Sequence, residues 1–194
     1  MRRRAANTLR LIAGAWRGRH VRFADVPGLR PTTDRVRETL FNWLQPYVPG
    51  AHCLDLFAGS GALGLEALSR GAADAVLVES DRRAVDALQA AAAALGATGA
   101  RVVWRDVAGY LRGIPERRYD LVFLDPPYGQ GLIGPCARLL EEHGWLAEGA
   151  LIYLEAEREL DPPPLPAGWT LVRSRRAGHV GYHLAQRGSA PAAV

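Results

Sequence analysis

The chain has 194 residues, of which 48% are hydrophobic and 23% are charged, and its formal net charge at pH 7 is +4. A chain of this length and composition can bury a full core and is expected to form a single globular domain. No apolar run approaches the length of a membrane span, and residues 1–10 lack the apolar centre of a secretory signal, so we expect a cytoplasmic protein without membrane association.

The cysteines and histidines indicate neither a disulfide nor a metal site. Cys53 lies in a predicted strand and Cys136 in a predicted helix, so both are expected to be reduced thiols. His179 and His183 have the spacing of a helical zinc pair, but the glycines around them favour a strand. We therefore expect no metal.

Positive charge is concentrated at the start of the chain. Residues 1–37 contain ten arginines against Asp25 and Asp34, a net charge of +8, whereas the remainder of the chain carries −4. Every basic residue is an arginine, a bias that a GC-rich genome can produce by itself. Composition bias does not decide where the charges lie, so the clustering still indicates a surface for an anionic partner.

The N-terminal segment is predicted to form a hairpin and a helix. Residues 9–14 and 19–23 read as two paired strands that pack little apolar core, and Thr33 or Asp34 can cap the helix. A solvated charged face is the alternative for a lone basic helix, but the hairpin beside it favours RNA. The predicted core positions of the helix are Val36, Leu40, Trp43 and Leu44, and the arginines outside that face, candidates for phosphate contact, are Arg30, Arg35 and Arg37.

Strands and helices then alternate as in a doubly wound α/β sheet. Most of the predicted helices end at glycines. The predicted helices cover 62–70, 82–95, 107–112 and 132–143, and the predicted strands cover 51–54, 75–78, 101–104, 121–124, 150–154, 170–173 and 181–184. The last two strands are expected to form an antiparallel hairpin, and 188–194 a disordered tail.

The tetrapeptide Asp125-Pro126-Pro127-Tyr128 follows the apolar run 121–124 and suggests methyl transfer to an amino nitrogen of a nucleobase. Such an amine is a poor nucleophile, because its lone pair is delocalised into the ring. The Asp125 carboxylate and the Pro126 carbonyl can accept hydrogen bonds from its two protons and aim the lone pair at an electrophilic methyl group. The prolines stiffen the pair, and Tyr128 offers a face for an unstacked base. A plain proline turn is the alternative.

A second motif, Asp55-Leu56-Phe57-Ala58-Gly59-Ser60-Gly61-Ala62-Leu63-Gly64, predicts a strand, a glycine turn and a helix start. Its G-x-G-x-x-G spacing alone would also fit a dinucleotide site, with Glu79 as the ribose-binding acid. Asp55 separates the two interpretations. Its carboxylate would repel a pyrophosphate but suits a ligand that carries an ammonium and a sulfonium, as S-adenosylmethionine does.

Four predicted strands are followed by an acid, namely Asp55, Glu79, Asp106 and Asp125. Ligands of open parallel sheets bind outside the carboxyl ends of the strands, so the four acids are expected to line one crevice. Glu79 can accept both hydroxyls of a ribose, and Asp106 is placed to accept from an adenine amino group. A helix cap is the favoured alternative for Asp106 taken alone.

Nearly end to end, the chain resembles the bacterial RsmD-type methyltransferases, which modify guanine N2 in small-subunit ribosomal RNA. The resemblance rests on Trp16-Arg17-Gly18-Arg19, on 28–42, on 55–71, on Asp125-Pro126-Pro127-Tyr128 and on Gly144-Trp145-Leu146. The first two segments are more specific than the glycine loop, which many methyltransferases share. One departure lies near Ala91, where the family often has an asparagine, and it puts a local hydrogen bond in doubt.

The resemblance implies an S-adenosylmethionine-dependent enzyme with a Rossmann-like, seven-stranded class I methyltransferase sheet, an N-terminal basic β-hairpin and a helix. Residues 1–45 would form an RNA-binding extension and 46–187 the methyltransferase domain, acting as a monomer on ribosomal RNA within a small-subunit particle. The expected catalytic residues are Asp125, Pro126, Pro127 and Tyr128; the expected cofactor contacts are Asp55, Phe57, Ala58, Gly59, Ser60, Gly61, Glu79, Ser80, Asp106, Val107 and Asp125; the expected RNA contacts are Arg17, Arg19, Arg22, Arg30, Arg35 and Arg37.

Three other functions compete with this hypothesis. An adenine-N6 DNA methyltransferase is the nearest, because Asp-Pro-Pro-Tyr occurs there too. A nicotinamide-dependent oxidoreductase would explain the glycine loop but neither the proline-flanked acid nor the arginines. A non-catalytic RNA-binding ribosome assembly factor would explain the arginines, but such a factor has no need of four acids at one sheet edge.

Overall fold

The computed structural model describes residues 7–26, 32–157, 160, 162–178 and 180–188. Three of the predictions concern residues outside these ranges. They are the phosphate contact of Arg30, the strand at His179 and the tail over 189–194. Gly188, where that predicted tail begins, donates its N–H to the Gly168 carbonyl at 2.7 Å. Within the described part of the chain, no helix is both long enough and apolar enough to cross a membrane.

The described residues form strands and α-helices in alternation, with one short 3₁₀ helix at Gly14–Trp16. The strands are β1 (Thr8–Arg10), β2 (His20–Arg22), β3 (His52–Leu56), β4 (Asp74–Glu79), β5 (Ala100–Trp104), β6 (Tyr119–Leu124), β7 (Leu146–Glu157), β8 (Trp169–Ala177) and β9 (Val180–Arg187). The helices are α1 (Asp34–Leu44), α2 (Gly64–Ser69), α3 (Arg82–Leu95), α4 (Val107–Leu111) and α5 (Ile133–Glu142).

Seven strands form one sheet in the order β5-β4-β3-β6-β7-β9-β8. The first five strands in this order are parallel to one another. β9 pairs antiparallel with both β7 and β8. The predicted doubly wound, seven-stranded sheet is confirmed. Since β5, β4, β3 and β6 are adjacent and parallel, their carboxyl ends share one edge.

Alternate residues of the central strands face two separate apolar layers. Cys53 of β3 packs in a layer with α1, α2 and α3, whereas Leu54 packs in the opposite layer with α4 and α5. Cys53 and Cys136 are both buried, and they form no disulfide with each other. The sheet is thus covered on both faces by the described helices, so a ligand that contacts the strand ends must approach at an edge of the sheet.

The N-terminal hairpin is docked on α2 rather than held away from the domain. The side chains of Leu9, Leu11 and Val21 are buried in the first apolar layer, so the expectation that the hairpin packs little core is wrong. The buried carboxylate of Glu66 accepts the N–H groups of Ile12 at 2.8 Å and Ala13 at 3.0 Å. The hairpin therefore has a fixed position on the domain.

Several element boundaries differ from the predicted ones, and the starts of α2 and β7 differ for a clear structural reason. α2 begins at Gly64 instead of Ala62, because the glycine turn continues through Leu63. β7 begins at Leu146 instead of Ala150, since the pairing with β6 is irregular there and Gly149 adopts a positive φ of 70°. A backbone irregularity of this kind breaks the alternation from which strand limits are predicted.

Candidate active site

The carboxyl edge of the sheet brings the four predicted acids together. Asp55 is the penultimate residue of β3 and Glu79 is the last residue of β4. Asp125 follows β6 directly, and Asp106 follows β5 after one residue. Because these strands are neighbours in the sheet, the four acids lie along one crevice, as the strand pattern predicts.

The glycine turn between β3 and α2 is built around residues with positive φ. Phe57 has φ 63°, Gly59 has φ 52° and Gly61 has φ 76°. A Cβ at Gly61 would lie 2.7 Å from a side-chain carbon of Leu88, so only glycine fits there. The predicted contacts Ala58 and Ser60 are buried within this turn. The turn therefore brings main chain, rather than side chains, close to the crevice.

Asp55 is a buried carboxyl group that points at the start of α2. Its Oδ2 accepts the N–H of Gly64 at 2.8 Å. The pKa of Asp55 is raised to about 7, because burial outweighs the opposing hydrogen bond from Gly64 and the charge of Glu79 adds to the effect of burial. Such a group loses its proton readily when a cationic ligand arrives.

Glu79 organises the loops on both sides of the crevice. One carboxylate oxygen accepts the N–H of Gly59 at 2.9 Å, and the other accepts the N–H groups of Ser80 at 2.7 Å and Asp81 at 2.8 Å. A carboxylate offers about four lone-pair sites, so Glu79 keeps capacity for a further donor. The arrangement suits the hydroxyl groups of a ribose.

Asp106 caps α4, which was the favoured alternative for this residue taken alone. Its Oδ1 accepts the N–H of Gly109 at 2.7 Å, while the side chain remains exposed at the crevice. Val107, also predicted as a cofactor contact, is buried in the second apolar layer. Ser80 is exposed beside Glu79. The cap and a contact with an adenine amino group use different atoms of Asp106 and are compatible.

The Asp125-Pro126-Pro127-Tyr128 segment is held from outside the motif. Thr32, in the loop before α1, donates its hydroxyl to Asp125 Oδ2 at 3.2 Å. Tyr128 donates its hydroxyl to Glu155 at 2.7 Å, although its side chain remains 49% exposed. Gly129 donates its N–H to Glu157. The tyrosine ring is thus fixed at its hydroxyl end while much of it is open to solvent.

Asp125 lies among other acids. Burial and the nearby charge of Glu155 hold its pKa well above the usual range for a carboxyl group, and Asp55 adds to the effect. The hydrogen bond from Thr32 acts in the opposite direction. The described surroundings of the motif thus include several carboxyl groups, which are hydrogen-bond acceptors when they are ionised.

Thr32, Glu155 and Glu157 are the contacts that the sequence analysis missed. Glu155 directly follows the predicted strand 150–154, so the rule that found the other strand-end acids would have found it as well. Thr32 lies 93 residues before its partner Asp125, and no local pattern connects two such distant positions.

The predicted RNA contacts divide into exposed and buried arginines. Arg17, Arg19, Arg22 and Arg35 are exposed. The Arg37 side chain, in contrast, has no exposed surface and donates to Asp34 at 2.6 Å, so its assignment to phosphate contact is wrong. Arg37 lies four residues before Phe41 on the buried face of α1, which explains why it turns inward.

Comparison with known proteins agrees with this geometry. The family model described as "Conserved hypothetical protein 95" matches residues 9–186. The Escherichia coli ribosomal RNA small subunit methyltransferase D is 54% identical over 181 residues, 92% of this chain and 90% of that protein. The chain belongs to the ribosomal RNA small subunit methyltransferase D family.

Solved structures show the same fold. The Escherichia coli protein yhhF is 51% identical, with a TM-score of 0.87 over 95% of this chain and 100% of that chain. The Thermus thermophilus 16S rRNA N2 G1207 methyltransferase, solved with AdoMet and guanosine, is 23% identical, with a TM-score of 0.70 over 94% of this chain and 50% of that chain. The latter likeness shows a shared class I methyltransferase fold.

S-adenosylmethionine is the cofactor of this family member, and the crevice fits it. The buried carboxyl group of Asp55 suits the ligand's ammonium, and Glu79 has room for ribose hydroxyls. A Cβ at Gly64 would lie 3.0 Å from Asp55 Oδ2, so the absence of a side chain keeps the approach to that carboxylate open. When bound, the cofactor supplies an electrophilic methyl group on a sulfonium.

Proposed function

We propose that the protein methylates the exocyclic N2 amine of a guanine in small-subunit ribosomal RNA. The observation that carries this proposal is the acceptor pair of Asp125 and Pro126 beside the fixed, half-exposed ring of Tyr128. The 54% identity to a ribosomal RNA small subunit methyltransferase supports the substrate class.

In the proposed mechanism the target guanine leaves its stack and lies on the Tyr128 ring. Asp125 and the Pro126 carbonyl accept hydrogen bonds from the two N–H groups of N2. These bonds draw the nitrogen towards tetrahedral geometry and aim its lone pair at the methyl group. Attack is a direct displacement without a covalent enzyme intermediate. The alkylated amine is strongly acidic, so its surplus proton passes to Asp125 or to water.

The chemistry of the pocket favours guanine over adenine. The Watson–Crick edge of guanine presents N–H donors at both N1 and N2, whereas adenine presents a donor at N6 and a lone pair at N1. The Asp125 carboxylate is an acceptor when ionised, so it would accept from the guanine N1–H but repel the adenine N1 lone pair. This argues against the alternative of an adenine-N6 methyltransferase.

The position of the N-terminal hairpin indicates a large RNA substrate. Arg19 donates to the carbonyl of Ala94 at 2.7 Å, near the end of α3, whereas the start of α3 adjoins Glu79 at the crevice. A helix of this length extends about 20 Å at 1.5 Å per residue. An RNA that reaches both Arg19 and Tyr128 must therefore span a comparable distance, which fits folded ribosomal RNA within a small-subunit particle.

The test is to map modified nucleotides in ribosomal RNA from cells with and without the gene. We expect one N2-methylguanine to disappear when the gene is deleted and to return with the wild-type gene. In vitro, replacing the target guanosine by inosine removes only the N2 amine and should abolish methyl transfer. N6-methyladenine as the product would overturn the proposal, and so would the absence of any methylated product.

A further inference from the structure

Three side chains from two other parts of the chain contact the segment from Asp125 to Gly129. Thr32 reaches it from the loop before α1, and Glu155 and Glu157 reach it from β7. We propose that Thr32 and Glu155 are positioning residues for the methyl transfer, with Thr32 holding the Asp125 carboxylate and Glu155 holding the Tyr128 ring. The inference rests on the proposed function, in which Asp125 accepts from the target amine.

The contact of Thr32 is a buried hydrogen bond between distant segments. Only 9% of Thr32 is exposed, and its Oγ1 lies 3.2 Å from Asp125 Oδ2. A hydroxyl that donates to a carboxylate favours the ionised form of that carboxylate. It also restricts rotation of the group, so the second oxygen, Oδ1, is the one presented to the base.

Glu155 anchors two tyrosines at once. Its two carboxylate oxygens accept the hydroxyl of Tyr128 at 2.7 Å and the hydroxyl of Tyr153 at 2.8 Å, and 7% of the residue is exposed. Burial and the charge of Glu155 raise the pKa of both tyrosines, which keeps their hydroxyls protonated as donors. The Tyr128 ring is thereby oriented before a base arrives, which lowers the cost of binding.

Thr32 and Glu155 act on Asp125 in opposite directions. Burial, the charge of Glu155 on β7 and the charge of Asp55 on β3 raise the pKa of Asp125, whereas Thr32 lowers it. Among the described residues, Tyr128, Tyr153 and Glu157 are further ionisable groups near the motif, and they lie on the Glu155 side. Changing Thr32 or Glu155 should therefore shift the ionisation of Asp125 with opposite signs.

The experiment measures the single-turnover rate at saturating RNA and S-adenosylmethionine against pH. Thr32→Val should move the acidic limb of the profile to higher pH and slow the rate at about neutral pH roughly 5-fold, the usual effect of one hydrogen bond. Thr32→Ser restores the hydroxyl and should restore the profile. Glu155→Gln removes the charge at constant shape and should move the acidic limb to lower pH.

Matched controls separate these effects from general changes. Thr39→Val removes a hydroxyl that donates to the Arg35 carbonyl on α1, and Glu148→Gln removes a charge from the other end of β7. Neither control should move the acidic limb. Superimposable profiles for wild type, Thr32→Val and Glu155→Gln would overturn the inference.

A second readout does not depend on turnover. The titration of the Asp125 carboxyl group can be followed by NMR in protein labelled with carbon-13 aspartate and bound to S-adenosylhomocysteine, with Asp125→Asn providing the assignment. Shifts of the Asp125 pKa in opposite directions in Thr32→Val and Glu155→Gln would support the positioning roles, even if no RNA is methylated. The lack of methylation would then refute the proposed function alone. An unshifted Asp125 titration in an active enzyme would refute the inference alone.

Discussion

Asp55 is a buried carboxyl group whose pKa is raised to about 7. We propose that it binds the cofactor's ammonium, which would make cofactor binding sensitive to pH. Below that pH the carboxyl group is largely protonated and offers no charge to the ligand's ammonium. We expect the affinity for S-adenosylhomocysteine to fall about 5- to 10-fold between about pH 8 and pH 6, as required when binding releases one proton. Calorimetry in buffers with different ionisation enthalpies measures both the affinity and the released proton.

The Asp55→Asn variant should bind more weakly than wild type and with little dependence on pH. Asp120→Asn is a suitable control, because Asp120 accepts the N–H of His52 near the amino end of β3, far from the crevice. A wild-type affinity that is constant over this pH range would contradict the assignment of Asp55 to the ammonium.

Asp125 is predicted to act on the target amine during attack rather than on the cofactor in the ground state. Asp125→Ala should therefore lower the single-turnover rate about 10²- to 10³-fold, the usual cost of one acceptor aimed at the transition state. The affinity for S-adenosylhomocysteine should change little. A variant that keeps more than roughly a tenth of the wild-type rate would show that Asp125 only terminates β6.

At the level of single residues, what sequence predicts depends on how far apart the partners lie. The strand-end acids were predictable, because β3 to β6 read clearly as strands and their ends share an edge. The burial of Arg37 was not, since a helical face deduced from apolar residues alone ignores a charged side chain that meets Asp34 and the Arg10 carbonyl. The exposed or buried state of such a residue is decided by tertiary packing.

Among the elements, α2 carries the contact that fixes the hairpin. Glu66 is fully buried and accepts from Ile12, Ala13 and Arg70, with Arg37 3.6 Å away. Removing one member of a buried ionic group leaves the others without a partner. Glu66→Ala should thus lower the free energy of unfolding by about 3–5 kcal/mol, as measured by urea denaturation.

The matched control for that variant is Glu116→Ala. Glu116 pairs with Arg101 at 2.8 Å, but both side chains are largely exposed. Exposed pairs of this kind contribute about 0–1 kcal/mol. Equal losses of stability in the two variants would show that Glu66 does not hold the hairpin on α2.

The alternation of strands and helices was predictable, whereas the docking of the hairpin was not. The cap at Thr33 or Asp34 and the apolar face that follows predicted α1, and α3 was predicted with its observed limits. In the hairpin, however, the anchoring residues are backbone N–H groups of Ile12 and Ala13, which every sequence possesses. Only their acceptor, a glutamate within an apolar helix, distinguishes this arrangement, and an acid in α2 reads equally well as a solvated position.

On the scale of the whole molecule, the docked hairpin packs on the same domain that carries the crevice. The exposed arginines Arg17, Arg19 and Arg22 belong to the hairpin, while Asp125 and Tyr128 lie at the sheet edge. We propose that the arginines bind RNA phosphates and that the edge holds the base and cofactor. Binding and chemistry should therefore be separable by mutation.

If Arg17, Arg19 and Arg22 neutralise RNA phosphates, their joint replacement by glutamine should weaken RNA binding and flatten its dependence on salt. The slope of log affinity against log salt should fall by roughly 0.7–0.9 for each lost contact, since fewer counterions are released. Cofactor affinity should not change. Replacing Arg101 and Arg117 instead removes exposed arginines that pair with Glu116 and Asp74, and this control should leave the slope unaltered.

The fold should survive in the triple variant, because Leu9, Leu11 and Val21 anchor the hairpin and all three replaced side chains are exposed. Wild-type RNA affinity at every salt concentration would show that these arginines form a solvated surface, and RNA recognition would then depend on the rim around Tyr128.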